Sequence, residues 1–490
     1  MTGRVRSVAV LALLMCLAGT VTACGGSALS PEYVRAANLS TSPQAMGDPA
    51  TGSDPGTTGT TPDGSLPGTT TGTGSTATGA SGGTSSSGQG GGHGHKGSST
   101  HGQQGAPAVA KTVSCRGFRN QTGITDQTIT IANVSDISGP VPGIFTSAQQ
   151  AVRAYVAYFN ATSSLCGRKL SLLPLDSRTD AGGDQAGYAT ACSQAFAAVG
   201  SMSAFDSGGA STAQACGLPD LRSQSVSDAR NACSSCFGAQ ATELHVFQNA
   251  VPDFFLKHNY AATQHAAEIY VNAQASVDNA KHQQAVEEKR GMHFVYDGAF
   301  DVAEFNYAPY AQRMKEKGVR WVQFVGSSDQ AVRLAQAMQA ANFKPDVFLL
   351  DSTGYDPNYV RSGGSAVNGT YVSLNFTPFE EAASSPELRL YEAWLQQVAP
   401  GASPSYFGVF AWSAARLFVQ QAAALGGRLT RANLVKSIRT VHRWTDHGLH
   451  APEDVGGKKN GDCWRFLQLQ GGHWKPVGGK TYLCHGSTAS

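Results

Sequence analysis

Charged residues and long apolar runs are both scarce in this sequence. Only 14% of its 490 residues are charged, the formal net charge is +2, and lysine and arginine form no run. A chain without a basic patch or a basic helix lacks the electrostatic footprint of a nucleic-acid-binding protein. We therefore expect no nucleic acid and no acidic surface as a partner, and a small molecule instead.

Catalytic motifs are also lacking. No H-E-x-x-H and no S-x-x-K occurs, and no G-x-S-x-G stands between a predicted strand and a predicted helix. The sequence therefore predicts neither an enzyme nor a cofactor. His442, His447 and His450, with Asp446 and Glu453 nearby, could form a zinc site, but we expect a surface loop there. Cys233-Ser-Ser-Cys236 could be a redox pair, but we expect a structural disulfide.

The one long apolar run lies near the N-terminus. Two arginines precede the run Val8–Ala18, which has about half the length of a membrane-spanning helix. The small residues around Cys24, in the stretch TVTACGG at 20–26, resemble the bacterial lipobox, in which the cysteine is acylated. We expect a lipoprotein signal peptide over 1–23 and a lipid anchor at Cys24. The alternative is an ordinary secretory signal that is cut after Ala23.

Residues 24–110 contain little that could form a core. Between Thr51 and Thr100 most residues are Gly, Ser or Thr, and Leu66 is the only large aliphatic residue. Since nothing there buries apolar surface to offset the backbone entropy, we expect a disordered tether. Its three histidines at 93, 95 and 101 could catch a metal, but solvated spacers are the simpler expectation.

Ten cysteines agree with export to an oxidising compartment. Cys16 in the signal and Cys24 at the anchor leave eight, an even number that allows four disulfides. Many pairings are possible, and we expect cysteines that are close in sequence to pair: Cys115 with Cys166, Cys192 with Cys216, Cys233 with Cys236, and Cys463 with Cys484.

Strands and helices alternate in the first part of the remaining chain. The segments 128–134 and 170–176 are apolar strands, and a helix with periodic apolar residues lies between them at 147–160. A further helix, a strand at 201–205 and a helix from about Ser211 follow. Because parallel strands need crossover helices, this alternation predicts a parallel sheet with helices on both faces.

A second unit of the same kind begins near Pro252. We expect a long helical stretch to about Glu288, then strands at 291–297, 320–326 and 346–351 with helices at 302–317 and 329–341. A strand at 370–376, helices at 386–398, 404–425 and 430–441, and three short closing segments follow, with Thr430 as the expected N-cap of the last helix.

Small polar loops follow the predicted strands of the first unit. In open parallel sheets, ligands bind beyond the carboxyl ends of the strands. Glycine and serine in such loops let a ligand approach the backbone and offer hydroxyl and amide donors to a carboxylate. The loops are SDISGPVPG (135–143), DSRTD (176–180), DSGGAS (206–211) and SVSDAR (225–230).

These segments resemble the type I periplasmic binding proteins, and within them the Leu/Ile/Val-binding family of ABC transporter subunits. SGPVPG (138–143), AQQAVRAYVAYFN (148–160) and CGRKLSLLPLD (166–176) repeat the opening of that family in order. VFQNAVPD (246–253) is similar to the place where the family chain first crosses to its second domain. The resemblance covers most of 124–480 and implies an α/β fold of two doubly wound parallel-sheet lobes, joined by a three-segment hinge that closes on a ligand.

The resemblance also implies domain bounds. Lobe 1 would comprise 111–250 and 376–460, and lobe 2 would comprise 251–375 and 461–490. Two departures from the family are expected in lobe 2: a missing β-α unit between Lys317 and Asp346, and an extra helical stretch at about Val277–Glu288.

Ligand-binding residues are implied by position in both lobes. Each serine among them has the alternative role of a helix cap alone. The implied residues are Ser138 and Gly139 in the first loop, Ser211 for an amino-acid carboxylate, Ser227, Asp228 and Ala229 in the next loop, Phe300 near the family's aromatic lid, and Asp351 near an acidic residue that can hold an ammonium group.

The sequence thus predicts a substrate-binding lipoprotein on the extracytoplasmic face of the cell membrane. It would capture a small polar solute, an amino acid or a related compound, and pass it to the membrane permease of an ABC transporter. A ligand-sensing lipoprotein that signals to a membrane receptor is the alternative, because it would use the same fold and pocket.

The lipid anchor has a direct test. Cys24→Ala removes the acylation site, so we expect the protein to move from the membrane fraction to the soluble extracytoplasmic fraction. Fractionation followed by immunoblotting measures the partition. Unchanged membrane retention of the variant would rule out anchoring through Cys24.

Overall fold

The structure is a computed structural model that describes residues 114–490, so Cys24, the signal peptide and the whole tether at 24–110 lie outside the described residues. Its first part alternates strands and helices, as the apolar periodicity predicts. In chain order the elements are β1 (Thr128–Ser135), α1 (Thr146–Thr162), β2 (Lys169–Asp176), α2 (Ala181–Gln194), β3 (Ala197–Val199), α3 (Ala210–Ala215), β4 (Asp220–Gln224), α4 (Asp228–Ala232) and β5 (Cys236–Gln240).

The second part contains a further alternating series and the chain's return. Its elements are β6 (Val246–Gln248), α5 (Ala250–His258), α6 (Tyr260–Thr263), β7 (Ala266–Val271), α7 (Gln274–Lys289), β8 (Phe294–Phe300), α8 (Ala308–Glu316), β9 (Trp321–Val325), α9 (Ser328–Ala340), β10 (Val347–Leu350), α10 (Pro357–Gly363), β11 (Tyr371–Leu374), α11 (Pro386–Val398), α12 (Tyr406–Leu425), α13 (Arg431–Ile438), β12 (Cys463–Gln470), β13 (His473–Val477), β14 (Leu483–Cys484) and β15 (Ser487–Ala489). One-turn 3-10 helices cover Ser352–Gly354, Gly364–Val367, Phe379–Ser384 and Gly426–Arg428.

The first sheet is fully parallel and has the strand order β2-β1-β3-β4-β5. Alternate side chains of β1 serve its two faces, since successive residues of a strand point to opposite sides. Ile129 and Ile131 pack in the cluster that contains α1 and α12, whereas Ala132 and Val134 pack in the cluster that contains α2. Helices therefore cover both faces of this sheet.

The second sheet has the order β13-β12-β11-β10-β9-β7-β8. Strands β7 to β11 run parallel, and β12 and β13 add an antiparallel edge. Helix α5 packs on it through Phe255, whose ring lies 5.9 Å from that of Trp321 and 5.6 Å from that of Phe466. Together the two sheets confirm the expected α/β class with two doubly wound parallel-sheet lobes.

The chain passes between the sheets three times. It leaves the first sheet after β5, returns after β11 to place α12 against α1 and β4, and leaves again before β12. Helix α12 is buried along most of its length, and Trp412 packs its ring 4.9 Å from that of Tyr155. These passages form the expected three-segment hinge.

Two sequence-based expectations about strands are wrong, one in each sheet. The third strand of the first sheet is β3 at Ala197–Val199 rather than at 201–205, which forms a loop. The expected long helix from Pro252 to Glu288 is interrupted by β7. All six residues of β7 are buried, but two alanines and Glu268 give it a weak strand signal.

Strand β7 adds a β-α unit to the second sheet that was not expected from the sequence. It pairs with both β8 and β9, and α7 is the crossover helix between β7 and β8. The stretch Val277–Glu288 is therefore part of a regular β-α-β unit rather than an addition. Between Lys317 and Asp346 the structure contains β9 and α9, and the absence of a further unit there relative to the family stays a prediction.

Four disulfides join the cysteines in the pairs set out above: Cys115–Cys166, Cys192–Cys216, Cys233–Cys236 and Cys463–Cys484. Among the residues from 114 onward, no helix has the length and apolar character needed to cross a membrane.

Two buried acids meet beneath helix α7. The Gln323 Nε2 amide donates to Glu268 Oε2 at 3.0 Å and to Glu287 Oε2 at 3.3 Å, and all three side chains are buried. Burial raises the pKa of Glu268 well above its ordinary value, with the charge of Glu287 adding to the effect. Burial also raises the pKa of Glu287, from 4.5 to about 8. The folded protein therefore holds protons here that the unfolded chain releases.

We expect the free energy of unfolding to fall as pH rises from about 4.5 to about 8. Over that range the folded state binds more protons than the unfolded state, so raising the pH favours unfolding. Glu287→Gln removes this titrating carboxyl, so its stability should fall less than that of wild type over the same pH range, by about 1–3 kcal/mol.

Denaturant unfolding of wild type and variant at several pH values measures this effect. Glu288→Gln is the matched control, because its neighbouring carboxylate is exposed and should change stability by less than about 0.5 kcal/mol. A wild-type stability that rises between pH 5 and pH 8, and rises equally in Glu287→Gln, would contradict the expectation.

Candidate functional site

A buried aspartate ties together three loops at the carboxyl edge of the first sheet. Asp136 follows β1 and is fully buried. It accepts hydrogen bonds from Ser177 Oγ at 2.5 Å and from the backbone N–H of Thr179 at 3.1 Å, both in the loop after β2. Ala204, in the loop after β3, donates its backbone N–H at 2.8 Å. One carboxylate thus fixes the loops of three neighbouring strands.

A second buried aspartate links the loops after β3 and β4. Asp206 accepts the Val226 backbone N–H at 2.9 Å and the Ser227 hydroxyl at 2.5 Å. Arg230 donates its Nε to the backbone oxygen of Asp206 at 2.9 Å. The loops that would meet a ligand are therefore held from behind by side chains of the fold.

An ion-pair network lies directly behind these loops. Arg230 lies 2.7 Å from Asp184 and 3.0 Å from Asp220, and Arg222 lies 3.6 Å from Asp206 and from Asp220. All of these side chains are fully buried. Burial raises the pKa of Asp184 to about 6, although Arg230 and Arg222 act against it. A buried network of this kind fixes relative positions more than it adds stability.

Tyr406 stands between the edges of the two sheets. It begins helix α12, and its hydroxyl bonds Gln240 at the end of β5 and Gln224 at the end of β4, the latter at 3.4 Å. Burial raises the pKa of Tyr406, and the negative charge of Asp351 is the next largest cause. Because Asp351 follows β10 of the second sheet, this tyrosine brings polar groups of both sheets together.

Asp351 supplies an acidic group at the second edge. Its Oδ1 accepts both the backbone N–H of Thr353, at 2.9 Å, and the Thr353 hydroxyl. Burial raises the pKa of Asp351, and the two bonds from Thr353 oppose that rise. Both bonds use Oδ1.

The three passages between the sheets meet at one carboxylate. Glu453, in the third passage, is fully buried. It accepts the Ala241 N–H of the first passage at 3.2 Å and the Asn375 Nδ2 of the second at 3.0 Å, and it also accepts the N–H of Gly461. Burial raises the pKa of Glu453, while these donors favour the charged form.

Asn460 adds a second link between the first and third passages. Its Oδ1 accepts the Glu243 N–H at 2.7 Å, and its Nδ2 donates to the Glu243 oxygen at 3.0 Å and to the Val246 oxygen. A groove of about 170 Å³ opens beside these passages. Its lining residues are His442, Arg443, Pro452, Glu453, Asp454, Asn460, Gly461, Asp462 and Cys463.

Ser138 and Gly139 lie in the exposed loop after β1. Ser138 donates its hydroxyl to Asp176 Oδ2 at 2.5 Å and its N–H to Asp176 Oδ1 at 3.1 Å, so it joins the loops after β1 and β2 rather than capping a helix. Gly139 has a φ of +103°, and a Cβ there would lie 2.1 Å from the Arg178 oxygen. Only glycine fits this close approach.

The other expected residues of the first sheet lie at the same edge but differ in surroundings. Ser227 caps α4 by accepting the Arg230 N–H at 3.3 Å, and it also donates to Asp206. Ser211 is exposed on α3, whose N-cap is Gly209, so it is not a cap. Asp228 and Ala229 are exposed in the first turn of α4, and Asp228 contacts His245 at 3.1 Å.

Phe300 lies in the core rather than at the rim. It is 2% exposed, and its ring packs 5.0 Å from that of Tyr307 and 5.9 Å from that of Phe324. Such a side chain presents no face to a ligand in this arrangement. The cause is the position of β8, which extends over Phe294–Phe300 rather than 291–297 and therefore includes Phe300 in the strand.

The alternative metal and redox sites take structural roles. His442 bonds Asp454 at 2.5 Å, whereas His450 is buried and contacts Ser413 Oγ at 2.8 Å. Burial lowers the pKa of His450 to about 4. Both cysteines of the Cys233–Cys236 disulfide are buried.

The residues missed by sequence reasoning share one property. Asp136, Asp206, Tyr406 and Glu453 act through partners that are distant in sequence. The aspartates do stand in the polar loops after β1 and β3, and that position is the one signal that could have pointed to them. Tyr406 and Glu453 carry no local motif.

Comparison with known proteins places this geometry in context. The sequence model of the family described as periplasmic binding protein matches residues 128–473. No curated protein sequence matches the chain.

Several solved structures are similar in fold. A fatty acid ABC transporter substrate-binding protein from Thermomonospora curvata has a TM-score of 0.64 and 16% identity, over 75% of this chain and 95% of that chain. A branched-chain amino acid transporter substrate binding protein from Streptococcus pneumoniae, in complex with isoleucine, has a TM-score of 0.61 and 15% identity, over 71% and 98%. An ABC transporter solute-binding protein from R. palustris, in complex with 4-hydroxybenzoate, has a TM-score of 0.61 and 16% identity, over 73% and 98%.

The link at Glu453 can be tested by mutation. Glu453→Gln replaces one accepting oxygen by a donating amide, which must then face the N–H of Ala241 or the amide of Asn375. We expect a loss of about 1–3 kcal/mol in the free energy of unfolding, the usual cost of an unsatisfied buried polar group. Denaturant unfolding measures the loss.

Asp454→Asn is the matched control. This neighbouring carboxylate lies partly exposed and bonds His442, so its loss should cost less than about 1 kcal/mol. Equal losses in the two variants would show that Glu453 does not hold the passages together.

Proposed function

The chain belongs to the periplasmic binding protein family, and we propose that it is an extracytoplasmic substrate-binding lipoprotein that captures a small polar solute for an ABC transporter. The single observation that carries this proposal is the polar carboxyl edge of the first parallel sheet, where the buried Asp136 and Asp206 hold the loops of adjacent strands in place. Proteins of this family bind substrates and do not catalyse reactions.

An amino acid is the solute class that the polar groups favour. On the first-sheet side, Ser211 is exposed on α3, and its hydroxyl suits a carboxylate. Asp351 offers an acidic oxygen on the opposite side, which suits an ammonium group. A ligand with both charges would therefore contact both sheets.

The related structures include other solute classes. Two of those proteins are in complex with isoleucine and 4-hydroxybenzoate, and the third belongs to a fatty acid ABC transporter. A monocarboxylate would use the first edge in the same way but would gain nothing from Asp351. The charge at position 351 is therefore the feature that separates an amino acid from the other two classes.

Binding would act through the rigid edges and the hinge. The loops of the first sheet are fixed by Asp136 and Asp206, so a solute meets donors whose positions are already set. The passages tied at Glu453 would carry the rotation that brings Asp351 onto the solute. The closed form would then present the solute to a membrane permease.

The remaining parts of the proposal rest on the sequence. Acylation at Cys24 would hold the protein to the bilayer, and the tether at 24–110 would let the folded part reach the permease. Lobe 1 at 111–250 and 376–460, and lobe 2 at 251–375 and 461–490, would form the two sides of the cleft. Ser211, Asp228 and Ala229 would line its first-sheet rim.

A ligand screen with two variants tests the function. Purified protein is screened by thermal shift against the common amino acids, 4-hydroxybenzoate and a medium-chain fatty acid, because a ligand that binds the folded state raises the midpoint. We expect an amino acid to raise the unfolding midpoint. Asp351→Asn should weaken the binding of that amino acid by about 1–3 kcal/mol, as measured by calorimetry.

Asp346→Asn serves as the control, since Asp346 precedes β10 at its opposite end and pairs with Arg320 on the surface. The affinity of Asp346→Asn for the amino acid should equal that of wild type. A carboxylic acid that binds equally to wild type and Asp351→Asn would contradict the amino-acid class, and no stabilising solute in any class would contradict solute capture.

A further inference from the structure

Two histidines from different parts of the fold meet on the surface. His245 lies in the segment after β5, and His282 lies on α7. Their Nδ1 atoms are 3.4 Å apart, and their ring centroids are 4.1 Å apart. The His245 side chain is 53% exposed, so an ion in solution can reach the pair.

A carboxylate determines which nitrogen of His245 carries its proton. Asp228, at the start of α4, places Oδ2 at 3.1 Å and Oδ1 at 3.2 Å from His245 Nε2. In a neutral imidazole one nitrogen donates and the other accepts, so a proton on Nε2 leaves a lone pair on Nδ1. That lone pair faces Nδ1 of His282.

The separation of the two nitrogens fits a single tetrahedral ion. Zn–N bonds of about 2.0–2.1 Å at the tetrahedral angle place two ligand nitrogens roughly 3.3–3.4 Å apart. A ligating histidine usually donates its other ring N–H to a carboxylate, which is the role that Asp228 can take. We propose that His245 and His282 bind a transition-metal ion of the Zn²⁺ class through Nδ1, with Asp228 as the residue that orients His245.

Oxygen atoms near the pair suit the same ion. Ser490 Oγ lies 2.8 Å from His282 Nδ1. Asp278 precedes His282 by one helical turn on α7, and its negative charge acts on the His282 ring.

The two histidines lie on different sides of the hinge, so an ion bound to both would affect the fold. Asp228 and His245 belong to the first-sheet side, at α4 and the first passage, whereas His282 belongs to the crossover helix of the second sheet. An ion held by both histidines joins the two sides next to the hinge. Its binding can be measured without the proposed solute.

Zinc binding by the full-length protein tests the proposal. Equilibrium dialysis gives the number of Zn²⁺ ions bound, and thermal unfolding with and without Zn²⁺ gives the stabilisation. The histidines at 93, 95 and 101 contribute the same background to wild type and to a His245→Ala/His282→Ala double variant. We expect wild type to bind one more ion per chain than the double variant, and to show a zinc-dependent rise in midpoint that the double variant lacks.

Two further variants make the outcome specific. His473→Ala removes an exposed histidine from the β12–β13 hairpin and should leave both readouts as in wild type. Asp228→Asn should keep the ion but weaken its binding by about 10–100-fold, the usual effect of losing such an outer partner. Equal stoichiometry and an equal rise in midpoint for wild type and the double variant would overturn the proposal.

Discussion

The buried carboxylate of Glu453 is the contact on which the arrangement of the two sheets depends. It accepts hydrogen bonds from all three passages of the chain, through Ala241, Asn375 and Gly461. Each passage carries backbone groups that need partners where water is excluded. A single acceptor that serves three donors takes one hydrogen bond from each passage and ties the passages together at one point.

The first-sheet edge is rigid for a related reason. Asp136 and Asp206 are buried, and each uses its oxygens to fix loops that arise from different strands. Arg230 joins Asp206 to the deeper carboxylates Asp184 and Asp220. A binding site on such an edge loses little conformational entropy when it captures a solute. Motion is then left to the hinge, where Tyr406 and Asp351 lie on opposite sides.

The features that could be predicted from the sequence are those set by residues close together in the chain. Apolar periodicity found both sheets, Thr430 caps α13 as expected by accepting the Asn433 N–H, and cysteines near in sequence are paired in the structure. Strand β7 was missed because Ala266, Ala267 and Glu268 lack strand propensity, and Glu268 is buried only because Gln323 on β9 meets it. Phe300 was expected beyond a strand at 291–297, but β8 runs from Phe294 to Phe300 and buries this side chain.

Long-range contacts set the limit of sequence reasoning for the site. The bond between Glu453 and Ala241 spans 212 residues, and that between Tyr406 and Gln240 spans 166. No local pattern marks such partners, because each is selected by where the passages between the sheets bring the chain. The loops that carry Ser138 and Ser227 could be recognised in the sequence by their small polar residues. On the second sheet, Asp351 was the one polar residue of the site that the sequence indicated.

The most direct test of the account is the distance between the two sides of the cleft with and without solute. Spin labels introduced at Gln185 on α2 and Lys317 at the end of α8, both exposed, report on the first and second sheets. Pulsed electron resonance should give a shorter distance when an amino acid that stabilises the protein is present at saturation. An unchanged distance distribution with a solute whose binding is established independently would contradict closure of the two sheets on a ligand.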